Sequence, residues 1–255
     1  MKIQYASDLH LEFPGSNQYM QKHPLKPAGD ILVLAGDIWL LGQSSYKRNP
    51  FWDWAADNFQ KTYIVPGNHE FYGGYGLAKM TDGLVMQIRP NVELHYNSVV
   101  PLNESTDLIL TPLWAWISKA HAFKIEQRLN DFTFIKCGKH KLTAETFGQL
   151  HNKCLSFLAK SLKSPGKRFV VATHHLPSFL LVDKKYHDDP TVEAFLSELS
   201  GLIEKTPTIS HWIYGHNHRN IVLVKIGKTY AVTNQLGYVG HSICEGFNPA
   251  AIFEI

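Results

Sequence analysis

Cysteine is scarce in this sequence. Among 255 residues the cysteines are Cys137, Cys154 and Cys244, an odd and widely spaced set without a CxxC pair. This spacing argues against a disulfide framework and is typical of proteins from a reducing compartment. We therefore expect free thiols and a cytoplasmic location.

Long apolar runs are also missing. No segment approaches the roughly 20 apolar residues that are needed to span a bilayer. The N-terminal stretch MKIQYASDLHLEF reaches polar and charged residues too early for the apolar core of a signal peptide. The sequence predicts a soluble protein that has no membrane partner.

Charge of one sign is not concentrated anywhere. Charged residues make up 18% of the chain, the net charge is +3 with histidine neutral, and lysine and arginine are spread along the sequence. A protein that follows a nucleic-acid backbone needs a basic run or surface. The charge pattern therefore argues against nucleic acid as a partner.

Short apolar runs that end abruptly in polar residues are the main feature of the sequence. Six runs rich in β-branched and aromatic residues are predicted strands: KIQYAS, DILVLAG, KTYIVPG, LILTPLW, RFVVATH and HWIYGH. Apolar residues at steps of three and four predict a helix over 143–162, and a second helix is expected over 192–203. The C-terminal part predicts hairpin-like strands around Gly227 and Lys228.

These elements suggest two sheets packed together with helices outside. With 44% hydrophobic residues the chain can bury a substantial core, and we expect one domain over residues 1–255. The segment 117–141 has no clean hydrophobic period. We expect it to form a flap over the site, in which Asn130 and Asp131 could reach the site.

Metal-binding residue types collect where the predicted strands end. Their positions are Asp8 and His10, Asp37, Asn68 and His69, His174, and His216 and His218. Loops converge at the carboxyl ends of strands in open α/β sheets, so sites are built there. Aspartate, asparagine and histidine without cysteine suit Mn, Fe or Zn, and even seven of these eight side chains exceed what one ion takes from a protein. The sequence therefore predicts two divalent ions, with identity open among these three metals.

The spacing of these residues leads to three further expectations. Strand alternation would send Asp8 and His10 to the same face, where they could grip one ion. A sharp loop after Gly215 could splay His216 and His218 toward different ions. Of the two histidines in THHLP, His174 directly ends its strand and is the favoured ligand, with His175 as the alternative.

Taken in order, these motifs resemble a known family. The series Asp8-x-His10, Gly36-Asp37, Gly67-Asn68-His69-Glu70, His174 and Gly215-His216-x-His218 is similar to the signature of the calcineurin-like metallophosphoesterases, over residues 8–218. The resemblance implies a four-layer α/β/β/α sandwich with two mixed central sheets and a binuclear metal centre at its edge.

The resemblance also implies a role for each motif residue. Asp8, His10 and His218 would hold one ion, Asn68, His174 and His216 the other, and Asp37 would bridge them. His69 would not bind metal but would face the substrate as an acid or charge stabiliser for the leaving group. The role of Glu70 is a separate question: it could orient His69 or a group around the metal ligands, or it could accept hydrogen bonds within its loop.

The activity implied is binuclear metal-dependent phosphoester hydrolysis by attack of a metal-bound hydroxide. Protein phosphatases of this superfamily resemble one another in carrying arginines after two of the motifs, whereas GDIWLLGQSS and GNHEFYGG contain none. The expected substrate is therefore a small phosphodiester or nucleotide-like compound. The alternatives are a phosphomonoesterase or protein phosphatase of the same fold, or a catalytically silent member that binds proteins.

Aromatic residues lie close to the motifs and have two possible explanations. Trp39, Phe71 and Tyr72 follow ligand loops, and Trp114 and Trp116 end the strand LILTPLW. Some of them could form a wall on which a substrate ring stacks. Alternatively, they pack in the core or at the base of the loops.

Overall fold

The computed structural model describes residues 1–255 and contains two six-stranded sheets and two short hairpins. The strands in chain order are β1 (Lys2–Ala6), β2 (Ile31–Leu34), β3 (Lys61–Ile64), β4 (Leu84–Arg89), β5 (Val92–Tyr96), β6 (Ser98–Pro101), β7 (Thr106–Leu110), β8 (Lys136–Cys137), β9 (His140–Lys141), β10 (Arg168–Ala172), β11 (Ile209–Ile213), β12 (Val224–Ile226), β13 (Thr229–Val232), β14 (Gly237–Tyr238), β15 (Ser242–Ile243) and β16 (Ile252–Glu254).

Six α-helices connect or flank these strands. They are α1 (Pro14–Lys22), α2 (Pro50–Asn58), α3 (Ala122–Arg128), α4 (Asp131–Phe134), α5 (Ala144–Ser161) and α6 (Ser200–Glu204). Short 3₁₀ turns cover Tyr46–Arg48, His69–Phe71, Leu77–Lys79, Phe179–Leu181, Lys184–Tyr186 and Pro190–Ala194. No helix is both long enough and apolar enough to cross a lipid bilayer.

Both large sheets have the same plan. The strand orders are β16-β1-β2-β3-β5-β4 and β12-β13-β11-β10-β7-β6. In each sheet the four central strands run parallel, and one antiparallel strand closes each edge. Because parallel strands end on the same side of a sheet, the loops after β1, β2 and β3 meet one another, as do those after β10 and β11.

The sheets pack face to face between two outer helical layers. Along β2, Ile31 and Val33 join the apolar layer between the sheets, where they meet residues of β7 and β10. Leu32 and Leu34 alternate with them and pack on the opposite face, in the cluster that contains Trp52 of α2. The outer face of the second sheet packs against α5 and α6. The predicted four-layer α/β/β/α sandwich with two mixed sheets is confirmed.

Local sequence signals located most of the parallel strands and one helix correctly. All six predicted strands are present as β1, β2, β3, β7, β10 and β11. The helix predicted over 143–162 is α5, and the Thr143 hydroxyl accepts a hydrogen bond from the N–H of Thr146 at its start. The C-terminal hairpin is β12–β13, and Gly227 supplies its positive φ of 59°.

The single helix predicted over 192–203 is wrong. The chain instead forms the 3₁₀ turn Pro190–Ala194 and then α6, and Leu196 between them makes a parallel bridge with Leu176. Pairing with another segment therefore interrupts the helical period. The strands β4, β5 and β6 were not predicted. All three cysteines are free, as expected.

Candidate metal centre

The structure brings the eight predicted site residues to one edge of the sandwich. Loops after β1, β2 and β3 carry Asp8, His10, Asp37, Asn68 and His69, and loops after β10 and β11 carry His174, His216 and His218. The ligand atoms of Asp8, His10, Asp37 and His218 lie within 4.8 Å of one another, as do those of Asp37, His174 and His216. Asp37 belongs to both groups.

The strand argument for Asp8 and His10 is wrong, although both residues reach the same group. β1 ends at Ala6, and the two residues have positive φ angles of 53° and 45° in the following loop. Their N–H groups donate to the carbonyl oxygens of Gly36 and Asp37, at 3.0 and 2.9 Å. Attachment to the neighbouring loop, rather than strand alternation, therefore sets their direction.

Backbone strain is concentrated in these residues. Eight non-glycine residues have positive φ, and five of them are Asp8, His10, Asp37, His216 and His218. A left-handed conformation costs a residue with a Cβ about 1–2 kcal/mol. Strain of this kind clusters at functional sites, where the surrounding contacts hold it in place.

The first group is centred on two imidazoles. His10 Nε2 lies 3.0 Å from His218 Nε2, and His218 Nε2 lies 3.4 Å from Asp8 Oδ1. His10 Nδ1 donates to Glu12 Oε1 at 3.0 Å, so a neutral His10 presents its Nε2 lone pair to the group. The side chains of Asp8 and His10 are fully buried.

The second group contains two atoms that cannot bond to each other without a cation or proton between them. His174 Nδ1 donates to the carbonyl oxygen of Ala35 at 2.8 Å, which leaves Nε2 as an acceptor. That Nε2 lies 3.0 Å from Asn68 Oδ1, whose own amide nitrogen donates to Asp131. When His174 is neutral, a lone pair therefore faces a lone pair, and only a proton or a cation on Nε2 can join the two atoms. Imidazole nitrogen with amide and carboxylate oxygen forms a donor set that fits a divalent ion of intermediate hardness.

Asp37 lies between the two groups. Its Oδ2 is 3.8 Å from His10 Nε2 and 3.5 Å from His174 Nε2, while Oδ1 accepts the N–H of His69 at 2.9 Å. His216 Nδ1 lies 3.1 Å from His174 Nε2, whereas His218 faces His10. The two histidines after Gly215 are therefore splayed toward different groups, as the sequence suggested.

His174 and His175 point to different surroundings. His174 faces Asn68 and His216. In contrast, His175 Nδ1 donates to the carbonyl oxygen of Pro112, 3.2 Å away, and the His175 ring lies 5.3 Å from that of Trp114. Burial and the neighbouring His174 lower the pKa of His175 to about 3. Of the two, only His174 is directed into the second group.

Comparison with known proteins agrees with this arrangement. The family model described as calcineurin-like phosphoesterase matches residues 1–220. The chain belongs to the calcineurin-like phosphoesterase family. An uncharacterized protein of Acanthamoeba polyphaga mimivirus is 30% identical to this family member over 277 residues, which cover 99% of this chain and 96% of the viral protein.

One solved structure has the same fold at low sequence identity. The phosphopantetheinyl hydrolase of Mycobacterium tuberculosis superposes with a TM-score of 0.68 at 15% identity, over 93% of this chain and 89% of the other. At this identity the likeness supports the fold of our phosphoesterase family member, but it does not assign a substrate or residue roles. Its site must therefore be understood from its own residues.

His69 and His10 share one carboxylate in this family member. Glu12 Oε1 accepts a hydrogen bond from the Nδ1 of each histidine at 3.0 Å, and the glutamate side chain is only 4% exposed. On the other side of the His69 ring, Nε2 lies 3.1 Å from the Tyr238 hydroxyl. Burial raises the pKa of Glu12, but the hydrogen bonds from His10 and His69 outweigh it and leave the pKa below its usual value.

Asp131 connects the segment 117–141 to the site. Its Oδ1 accepts hydrogen bonds from the amide of Asn68, at 2.8 Å, and from the Tyr72 hydroxyl. The Asn68 amide is thereby fixed with its oxygen toward His174. Asn130 lines the adjoining opening with Tyr72.

Glu70 holds the loops and does not orient His69. Its carboxylate accepts the N–H groups of Asp37, Ile38 and Gly67, at 2.9, 2.8 and 2.6 Å. The explanation of Glu70 as a hydrogen-bond acceptor within the loops is therefore the correct one. Burial and the Asp37 charge raise its pKa to about 7.

The carboxylates make this site attractive to positive charge. Burial lowers the pKa of His174, but Asp37 and Asp8 outweigh this effect and raise it to about 10. Burial also opposes a charge on His69, yet Asp37 and Glu12 raise its pKa to about 9. A cation between the carboxylates and imidazoles would be stabilised by the same negative charges that raise these pKa values.

Most aromatic residues named from the sequence belong to the core. Trp39, Phe71 and Trp114 are buried in the cluster outside the first sheet, so core packing is the correct explanation for them. Trp116 is exposed. Of the five aromatic residues named from the sequence, only Tyr72 lies at the site, and its ring centroid is 4.2 Å from that of His69 in a stacked arrangement.

Three site residues were not predicted as such. Glu12 follows His10 by two positions, so the DLHLE stretch contained a signal that sequence reasoning did not use. Asp131 was named only as a residue within reach. Tyr238 lies in a C-terminal hairpin with no recognisable motif, and only the fold brings it to His69.

Proposed function

We propose that this protein is a phosphoester hydrolase that works with two divalent metal ions and favours a small phosphodiester or nucleotide-like substrate. The observation that carries the proposal is the convergence on Asp37 of two groups of acceptor atoms, one around His10 and one around His174. Family membership supports hydrolysis of a phosphoester. The diester preference is the finer part of the proposal.

The residues named from the sequence would hold the ions. Asp8, His10 and His218 would bind one, Asn68, His174 and His216 the other, and Asp37 both. When bound, the ions would supply a water of lowered pKa as the nucleophile and positive charge for the phosphate oxygens. The donor set favours Mn, Fe or Zn.

His69 would serve the leaving group rather than a metal. Its Nδ1–H is held by Glu12, so an imidazolium would carry its second proton on Nε2, toward Tyr238 and the open cleft. The Glu12 charge stabilises this imidazolium. His69 would then donate the Nε2 proton to the departing alkoxide, and Glu12 and the backbone bond to Asp37 would keep the ring in position.

The few cations near the centre support the preference for a diester. Neither motif loop contains an arginine, and Arg128 is the one lysine or arginine that lines the opening around Asp37 and His69. Its guanidinium faces Asp189 at 3.4 Å. The dianion of a phosphomonoester would benefit from an arginine that left its carboxylate partner to bind the phosphate. Because Arg128 lines the opening, a phosphomonoesterase is the second candidate function.

Metal analysis combined with a substrate panel tests the function. With added Mn²⁺ we expect hydrolysis of bis(p-nitrophenyl) phosphate at a higher kcat/KM than that of p-nitrophenyl phosphate. Asp37→Ala should bind less metal and lose at least a hundredfold in rate, because both groups lose their shared carboxylate. Faster turnover of the monoester would favour the second candidate. No turnover of either ester by metal-loaded protein would favour a silent protein-binding member.

Three further expectations belong to the same proposal. The chain would act as one domain, and segment 117–141 would be a flap, as the contact of Asp131 with Asn68 supports. The three free cysteines support a cytoplasmic location. Limited proteolysis with and without a phosphate analogue would test the flap, because a closed segment should be protected.

A further inference from the structure

A cleft of about 740 Å³ opens directly beside His69. His69, Tyr72, Asn130 and Tyr238 line both this cleft and the opening over Asp37. The two spaces are therefore adjacent and share the His69 ring as part of their walls. A volume of this size is within the range of small-molecule sites, roughly 300–1,000 Å³.

Aromatic rings form both sides of this cleft. Phe13 and Tyr238 stand on one side, with ring centroids 5.6 Å apart at 82°. Tyr72 and Phe134 stand on the other, 5.2 Å apart at 40°. Phe13 and Phe134 are 43% and 47% exposed, so their faces are available to a ligand. We call this space the aromatic cleft.

Apart from His69, the aromatic cleft offers a ligand no lysine, arginine or free carboxylate. No lysine or arginine lines it, and its one carboxylate, that of Glu12, is buried and engaged by His10 and His69. Its remaining polar groups include Asn130 and His241. A stacking surface with few polar groups suits an uncharged, ring-bearing molecule.

We infer that the aromatic cleft binds the leaving alcohol of the substrate, and that this alcohol is uncharged and carries a flat ring. The inference rests on the proposed function, because it takes His69 as the side chain that faces the leaving oxygen. A leaving oxygen within hydrogen-bond reach of His69 Nε2 places the rest of the alcohol on the side of Tyr238 and Phe13. The class includes aryl-methyl alcohols and nucleosides but not alcohols that carry another phosphate.

Two dialkyl phosphates with leaving groups of similar acidity test the inference through turnover. In the Mn²⁺-loaded protein we expect kcat/KM for dibenzyl phosphate to exceed that for diethyl phosphate by at least tenfold. The double variant Phe13→Ala/Phe134→Ala should reduce this ratio to within about threefold of one. Leu223→Ala, which truncates an apolar side chain that is 54% exposed and lies outside the cleft and segment 117–141, is the control and should keep the full ratio.

A binding measurement gives a second readout that does not need turnover. Calorimetry should show benzylphosphonate binding at least tenfold more tightly than ethylphosphonate to the wild type and to Leu223→Ala, but not to the double variant. Circular dichroism would establish that the double variant is folded. Equal affinities in the wild type, or a preference that survives in the double variant, would overturn the inference.

The two proposals fail in different ways. If neither dialkyl phosphate nor bis(p-nitrophenyl) phosphate is hydrolysed, the proposed function fails, and the phosphonate affinities still decide whether the cleft prefers a ring. If esters are hydrolysed without a preference for the benzyl group, only the inference about the leaving alcohol fails.

Discussion

Glu12 makes the same hydrogen bond to two histidines with different predicted roles. By accepting the Nδ1–H of each ring, Glu12 leaves Nε2 as the nitrogen that faces the site. His10 therefore presents Nε2 to the first group of ligand atoms, and His69 presents Nε2 to the cleft. Carboxylates that orient metal-bound histidines are typically worth a factor of about 10–100 in metal affinity or activity. At the scale of one residue, Glu12 therefore couples the two parts of the site.

Glu12→Gln should lower activity more than it lowers metal content. Glutamine keeps an oxygen that can accept a hydrogen bond but removes the charge that stabilises a protonated His69. We expect kcat to fall about tenfold to a hundredfold, most strongly for alkyl leaving groups, which need the proton most. Rates for p-nitrophenyl and alkyl diesters, together with metal analysis, provide the measurement.

The matched control for Glu12 is an exposed glutamate outside the site. Glu104→Gln should leave both the rates and the metal content at wild-type values, because the Glu104 side chain is exposed in a distant loop. An equal loss of rate for good and poor leaving groups in Glu12→Gln would contradict the assignment.

At the scale of an element, close contact between the loops after β2, β3 and β10 forms the site. A Cβ added to Gly67 would meet His174 Cε1 at 2.7 Å and the backbone nitrogen of Asp37 at 2.8 Å. Contacts of real Cβ atoms essentially never fall below 3.0 Å, so one loop must move. Glycine is thus required here for space.

Gly67→Ala should weaken metal binding and activity together. Displacement of Asp37 or His174 separates ligands of the second group, and we expect at least a tenfold loss in metal affinity. Calorimetric titration with Mn²⁺ measures it. Gly201→Ala is the control, because a Cβ there meets nothing within 4 Å and the helix α6 tolerates alanine. Wild-type metal affinity in Gly67→Ala would contradict this prediction, because it would show that the loops can move apart without displacing the metal ligands.

Strand β11 contains a histidine whose charge opposes folding. Burial, together with Arg168, lowers the pKa of His211 from 6.5 to about 4, and its ring stacks on Phe253 with centroids 3.9 Å apart. The unfolded chain binds this proton at higher pH than the folded chain. The stability contribution is therefore complete above pH 6.5 and is lost as the pH falls toward 4.

His211→Phe should make stability less dependent on pH. Phenylalanine preserves a ring against Phe253 but cannot take up a proton. We expect Tm to fall less steeply in the variant than in the wild type between pH 7 and pH 5. Thermal unfolding monitored by circular dichroism across this range provides the test. Equal decreases of Tm with falling pH in the two proteins would disprove the prediction.

At the scale of the whole molecule, the site joins the two sheets. Asp8, Asp37 and Asn68 come from loops of the first sheet, whereas His174 and His216 come from loops of the second. Ions held by both sets would favour the state in which the sheets are packed. A ligand that binds only the folded state at 100 times its Kd stabilises it by about 2.7 kcal/mol.

Removal of metal should therefore lower the thermal stability of the entire protein. We expect Tm to be about 5 °C or more lower after treatment with EDTA than with excess Mn²⁺, given the usual relation between stability and Tm. Asp37→Ala should show a much smaller difference between the two conditions. Scanning calorimetry measures both proteins, and an unchanged Tm on chelation would argue against ions that bridge the sheets.

The sequence by itself determined most of the parallel strands, the long helix and the identity of the polar residues at the strand ends. These features depend on local patterns, since side-chain alternation and helical period are properties of short segments. The motif order also sufficed to indicate the family, which the match over residues 1–220 confirmed. The roles of the individual site residues remain predictions.

Only the tertiary structure decided which partners these residues meet. The bridge of Leu196 to Leu176 interrupts the helix predicted over 192–203, and the contact of Tyr238 with His69 joins residues 169 positions apart. The direction of Asp8 and His10 depends on hydrogen bonds to the loop after β2. Contacts of this kind arise from the packing of distant segments, and no local pattern of residues specifies them.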